Sequence, residues 1–310
     1  MQETVSKANP PLSSRLPWLA AFGSFFIWGA LPIYWHALDT VNSLEILAHR
    51  IFWSFIFLFF ILLWRKEVKK SYALLKNNMI LLSVFTSGGL LTFNWLLYIW
   101  AVTHNQIIDA SLGYFITPLI NVVLGVIFFK NKLNRVQSFA IVIAACGVFY
   151  QLYAQGTIPI VGLSLAISFS FYGMMRKKVA VESLPGLFLE TTIFAIPAFL
   201  WLIFLQIKGS ATFFHVPSSI HLLLIFSGVI TSVPLLMYAY AARQMSFVSL
   251  GLIQYVTPSL AFLVGFFIFK ETFNIHMAIT FLCIWTALAI YTADSLYTFK
   301  RRLVINKIIS

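Results

Sequence analysis

Charge is scarce in this 310-residue chain. Nine acidic and 21 basic side chains make up 10% of it, against 60% hydrophobic residues and a mean hydropathy of +0.90. A water-soluble fold of this length would have too little polar surface to cover itself, so a soluble globular domain is excluded. Cysteine is scarcer still. Cys146 and Cys283 lie deep in apolar runs without metal-ligand spacing and read as small core residues. Also missing are a His-Glu-x-x-His zinc motif, paired intramembrane aspartates and a Gly-rich nucleotide loop ending in Lys-Ser or Lys-Thr. The sequence thus gives no support to an enzyme, a metal site or a cofactor. A net charge of +12 would point to nucleic acid only if Lys and Arg clustered on a soluble face. They sit in short gaps between apolar runs, and no nucleic-acid partner is expected.

What the chain holds is long apolar runs. A spanning helix needs about 20 largely apolar residues, and ten segments qualify: 17-38, 43-64, 79-102, 107-129, 136-153, 158-175, 187-207, 219-242, 247-269 and 275-296. These exceed core strands and lack the alternation of a closed barrel. Backbone groups in lipid must be satisfied within each segment, so an all-α polytopic membrane protein is predicted. The first run is too long for a cleaved signal peptide, which leaves 1-16 as a polar tail. If the N-terminus is cytoplasmic, 18 of the 21 basic residues fall on the inside. Only Lys208 and Lys270 fall in outside loops, and Arg50 lies within a helix. The positive-inside rule then places both termini in the cytoplasm, with 297-310 as a basic tail, and fits a multi-pass protein of the inner membrane in contact with its lipids.

The stretch Tyr114 to Asn134 occurs twice. A shift of 140 positions carries Thr117, Pro118, Gly125, Phe129, Lys130 and Asn134 onto Thr257, Pro258, Gly265, Phe269, Lys270 and Asn274. From Ser87 to Asn134 the shift gives 12 identities in 48 positions, where an apolar alphabet would give roughly 10% by accident. The chain therefore reads as a duplication, 17-153 and 154-296, of five spans each. Five is odd, so the repeats are inverted. Inverted repeats are a device of secondary transporters, in which one bundle rocks against the other around a midplane site.

The strings AHRIFWS (Ala48 to Ser54), NWLLYIWAV (Asn94 to Val102), SLGYFITPL (Ser111 to Leu119), FYGMMRKK (Phe171 to Lys178) and QYVTP (Gln254 to Pro258) carry a resemblance. With the five-plus-five plan, they resemble the RarD proteins, chloramphenicol-sensitivity proteins or permeases of the EamA-type branch of the drug/metabolite transporter superfamily. The resemblance runs from about Trp18 to Tyr297. It implies a cytoplasmic-membrane transporter of small organic solutes or drugs that works without ATP, with its path between the repeats.

Arg50 lies about seven residues into its helix, roughly 10 Å deep at 1.5 Å per residue. A guanidinium there costs several kcal/mol unless it is paired or wet. It either receives an anionic group of a substrate, which its planar fork suits, or staples its helix to Glu45, Asp109 or helix-end carbonyls. Glu45 and His49 share a helical face; they are candidates for proton exchange, or a hydrogen-bonded interfacial pair. Glu190, the repeat counterpart of the His49-Arg50 region, is either a proton site or gate, or a first-turn carboxylate that complements the helix dipole and reaches water. Arg243 and the run Arg176, Lys177, Lys178 read as interface anchors. Pro118 and Pro258 each free a carbonyl one turn earlier and kink their helices. Tyr114, Thr117, Asn121, Gln254, Tyr255 and Thr257 cluster near them, and Asn94 and Trp95 extend the set, as a central pocket or as interhelical glue. A solute transporter heads the functional readings. A lipid or lipid-carrier flippase on the same scaffold, a passive channel and an intramembrane enzyme follow.

Overall fold

The computed structural model describes residues 15–104, 107–213, 217–270 and 275–309. In chain order the helices are α1 (Leu16–His36), α2 (Ser43–Trp64), the short α3 (Val68–Ala73), α4 (Asn78–Thr103), α5 (Ile107–Phe129) and α6 (Arg135–Gln155). They are followed by α7 (Ile160–Lys178), α8 (Ser183–Ile207), α9 (Ser218–Gln244), α10 (Phe247–Ile253), α11 (Val256–Phe267) and α12 (Ile275–Ile309). Among the described residues 9 stretches are long and apolar enough to cross a membrane, with α10 and α11 counted as one. The sixth predicted span, α7, is more polar and is the one not counted: Ser164, Ser168 and Ser170 interrupt it and Arg176, Lys177 and Lys178 close it.

Local chemistry sets the ends. Asn42 and Asn77 accept hydrogen bonds from the first amides of α2 and α4, and Asn134 with Gln137 forms a capping box on α6. The chain differs from the predicted spans in three places. Residues 68–76, read as a loop, form α3 and a 3-10 turn. α12 continues to Ile309 through most of the expected tail. The ninth span breaks at Gln254 and Tyr255, because Pro258 has no amide to give the Gln254 carbonyl, which accepts from Thr257 N instead at 3.0 Å. Its counterpart α5 passes Pro118 unbroken. Cys146 is exposed on α6, a correction to its reading as a core residue, because α6 packs through Ala140, Ala144, Gly147 and Val148.

The helix pairing maps onto itself when the halves are exchanged. α1 packs on α9 and α11 as α7 packs on α4 and α5; α2 packs on α9 as α8 packs on α4; α2 meets α8, α5 meets α10, and α6 meets α12. These are two inverted five-helix repeats, and the heaviest packing crosses between them. The backbone repeats as well. Lys130 and Lys270, 140 positions apart, both take left-handed φ angles of 51° and 57° at helix ends.

With no hydrophobic drive between helices in lipid, close approach at small residues carries the packing. A Cβ on Gly228 of α9 would collide with the backbone of Trp53 and Ser54 in α2, and Ser54 Oγ donates to the Gly228 carbonyl at 3.2 Å. A Cβ on Gly89 would meet only Phe194, at an ordinary 3.9 Å. Gly228→Ala is therefore expected to destabilise the protein by about 1–3 kcal/mol through overpacking, and Gly89→Ala to leave it near wild type. Thermal unfolding of both variants in one detergent checks the contrast.

Candidate functional site

The start of α2 is fixed by its neighbours. Glu45 Oε1 accepts from the backbone amides of Thr212 and Phe213 at 2.8 and 3.1 Å, tying the loop after α8 to α2. His49 stacks on Phe213 and accepts from Trp53 Nε1 at 3.1 Å through Nδ1. An indole N–H only donates, so a neutral His49 carries its proton on Nε2, 4.0 Å from Glu45 Oε1. Both side chains are buried. Glu45 is thus a loop anchor and does not staple Arg50. The side chain of Asp109 lies outside the described residues.

Arg50, next along α2, stands in a chamber of aromatic side chains. Its guanidinium carbon lies over the rings of Trp35 (4.6 Å) and Trp95 (4.8 Å), within cation–π range of both. Nε donates to Thr231 Oγ1 of α9 at 3.1 Å. Tyr34, Tyr98 and Tyr114 lie within its electrostatic reach, and the Tyr98 and Tyr114 rings meet edge to face at 6.4 Å. Arg50 is half-buried and Tyr114 is 42% exposed. Nη1 and Nη2, the edge that takes a planar carboxylate bidentately, make no hydrogen bond among the described residues.

The predicted pocket residues do not all meet there. Arg50, Trp95 and Tyr114 do. Asn94 is held by Leu165 O (2.8 Å) and Ser168 Oγ (2.9 Å) of α7. Thr117 Oγ1 donates to Gly113 O, Thr257 Oγ1 to Phe25 O and Tyr255 Oη to Phe115 O. Asn121 Nδ2 donates to Gln254 Oε1 at 2.7 Å. Apart from Asn94, these side chains are buried, and those of α5, α10 and α11 form a closed polar seam between the repeats. Tyr34, Trp35, Tyr98 and Thr231 belong to the chamber and were not singled out from sequence. Tyr98 carried a signal, since it repeats as Tyr238.

A second polar cluster sits on α8. Helices α2 and α8 begin at Ser43 and Ser183, 140 apart, so Glu190 is the counterpart of Arg50 itself. Glu190 does not reach water from a first turn, as the dipole reading had it. It is 1% exposed, accepts from Ser87 Oγ of α4, and pairs with Arg176 Nη1 at 3.4 Å. Arg176 is likewise not an interface anchor. It is 2% exposed and its Nη2 donates to Ser183 O at 3.0 Å. Arginine at the head of an Arg-Lys-Lys run, four residues from Tyr172 on one face, was the available signal. Arg243 Nη1 donates to Val181 O, and Lys177 Nζ to the carbonyls of Ala242 and Met245.

The comparisons with known proteins follow from this architecture. The EamA-like transporter family matches residues 16–153. YojE of Bacillus subtilis (strain 168), an uncharacterized transporter, is 42% identical over 87% of this chain and 91% of its own. Protein RarD of Escherichia coli (strain K12) is 39% identical over 91% of this chain and 96% of its own. The chloramphenicol-sensitive protein RarD of Pseudomonas aeruginosa is 27% identical over 89% of this chain and 93% of its own. A solved structure 17% identical aligns with a TM-score of 0.66 over 89% of this chain and 97% of that one, which shows a shared fold. The relatives and the spans make this a multi-pass membrane transporter. It belongs to the RarD family of EamA-like transporters.

The seam and the chamber separate by experiment. Asn121→Leu or Gln254→Leu alone strands a buried amide and is expected to cost about 1–3 kcal/mol. The double variant removes both partners and should cost less than the sum of the two. Chemical unfolding of the three variants measures this coupling.

Proposed function

We propose that the protein is a secondary transporter moving small organic solutes or drugs across the cytoplasmic membrane by alternating access. Arg50 receives an anionic group of the solute. The observation that carries this reading is the unequal state of two equivalent positions. Arg50, with Trp35 and Trp95, stands half-buried beside the part-exposed Tyr114, while its counterpart Glu190 is sealed among α4, α7 and α8. A bundle of two like halves with opposite orientation has a second arrangement of similar energy, in which the open and sealed ends trade places. The excess of basic residues on one side of the bundle supports an orientation with both termini and the Glu190 end in the cytoplasm. No step of this cycle needs bond chemistry, and the role is that of a permease rather than an enzyme.

A lipid or lipid-carrier flippase is the second reading, favoured by one observation. An apolar groove of about 250 Å³ lies between α2, α4 and α8, lined by Leu47, Ile51, Phe194, Pro197 and Trp201 among others. It suits an acyl chain, and Ile51 adjoins Arg50 in sequence.

Ligand-dependent thermal stability of the purified protein separates the readings. The panel is amino acids, aromatic acids, lipid head groups and chloramphenicol. A ligand at 100 times its Kd stabilises by about 2.7 kcal/mol. The expected result is a shift with an organic anion that falls away in a folded Arg50→Ala variant. The variant's affinity should drop about 10- to 100-fold, as the loss of a charge-assisted pair implies. A shift with lipid head groups alone would favour the flippase, and an undiminished shift in Arg50→Ala would remove Arg50 from the site.

A further inference from the structure

We infer that the sealed chamber around Glu190 is a proton-binding site, and that a proton taken up there releases Arg176 and opens that end of the path. The inference uses the alternating-access reading for its purpose but not for its occupancy.

Glu190 bridges the repeats at one oxygen only. Oε1 serves both Ser87 of α4 and Arg176 of α7, the latter through a single 3.4 Å contact and not a bidentate fork. Four polar atoms in the same cluster are buried without a hydrogen-bond partner: Glu190 Oε2, Arg176 Nε, Tyr172 Oη and Tyr238 Oη. Each such atom costs about what a lost hydrogen bond costs, and a pair kept only to hold α7 to α8 would gain by satisfying them. Tyr172 sits one turn before Arg176, and Tyr238 is the repeat counterpart of Tyr98 in the open chamber. The sealed cluster therefore keeps the polar lining of the chamber it mirrors.

A proton suits this site. Hydronium gives H⁺ to Glu190 Oε2 and leaves water; an O–H bond forms, and the carboxylate becomes a neutral acid whose new donor joins a cluster in which the neighbouring Tyr172 hydroxyl has no partner. The local charge passes from that of an ion pair to that of Arg176 alone. An unpaired guanidinium is costly in the interior and cheap in water. Arg176 stands two residues from the end of α7 and already reaches Ser183 O at the start of α8. Hydrating it requires those two helix ends to part, which is the opening movement.

The groups that face Glu190 are Ser87 from α4 and Arg176 and Tyr172 from α7, and Tyr238 from α9 stacks on Tyr172 behind them. α2 brings Phe55 and Phe59 against Phe188, and α3 brings Tyr72. Arg243 lies beyond Arg176 with Glu182 beside it. Glu45, on α2, instead holds two backbone amides through one oxygen and has no guanidinium partner to release.

Infrared difference spectroscopy of the protein in lipid nanodiscs, between alkaline and acid pH, reads the site without any solute. The wild type should gain the carbonyl band of a protonated carboxylic acid, Glu190→Gln should lose it, and the exposed Glu182→Gln should keep it. Hydrogen exchange on the same samples, corrected for the intrinsic effect of pH, should show at least a tenfold loss of protection over 172–190 at acid pH. In Glu190→Gln protection should be low at both. Should Glu190→Gln fail to fold, Glu190→Asp serves in its place and should move the frequency of the band. A band that survives Glu190→Gln, a band unmoved by Glu190→Asp, or wild-type protection that ignores pH would overturn the inference. Because no solute is involved, those outcomes leave the transport reading intact, and a silent solute panel leaves the proton site intact.

Discussion

A charged side chain inside a bilayer must be paired, wet or sandwiched, since hydrocarbon offers nothing in place of its hydration. Three charges well inside this bundle meet that demand in different ways, and much of the packing follows from them. Arg50 uses the rings of Trp35 and Trp95 and the Thr231 hydroxyl, and stays half-buried. Glu190 and Arg176 use each other and are almost wholly buried. The first solution brings one indole from α1 and one from α4 to a side chain of α2. The second requires α7 and α8 to close until neither side chain is exposed. The two halves of one duplicated scaffold thus sit in different postures because they enclose charge differently.

That difference bears on why the halves interlock instead of docking as separate bundles. The heaviest helix packing runs between repeats: α1 and α2 on α9, α7 on α4 and α5. Arg50 bonds to Thr231 on α9, and Glu190 bonds to Ser87 on α4, the corresponding helix of the other repeat. Each charged position is therefore held by the opposite half, and a shift of one half changes both sites at once. Small residues such as Gly228 make the crossing surfaces close and directional, which favours discrete arrangements over continuous deformation.

The helical architecture was legible in the sequence because hydrocarbon leaves few options: apolar runs of spanning length must be helices, and α2 and α5 fall within the bounds read from hydropathy alone. The repeat was legible because Phe129-Lys130 and Asn134 recur as Phe269-Lys270 and Asn274, and the two lysines also share a left-handed backbone. Site membership was less legible. Thr117, Asn121, Gln254 and Thr257 looked like Tyr114 on paper, polar residues beside a proline. Which of them faces a chamber depends on the rotation of α5 against α10, and a single span does not encode that rotation. Arg176 was hidden by its neighbours, because hydropathy treats Arg-Lys-Lys as one anchor although its first member turns inward.

The two prolines show how a duplicated element acquires a separate use. α5 and the α10–α11 pair share the Thr-Pro step, yet only the second breaks. Before Pro118 the Thr117 hydroxyl donates to the Gly113 carbonyl one turn back within α5. Before Pro258 the equivalent hydroxyl leaves its own helix and donates to Phe25 O of α1, while the Gln254 side chain turns to Asn121. The hydroxyl that reinforces one helix thus ties the other to its neighbour. Gln254 and Tyr255, at the break, keep helical dihedrals but close the seam with Asn121 and Phe115, which fastens the fourth spans of the two repeats together beside the chamber.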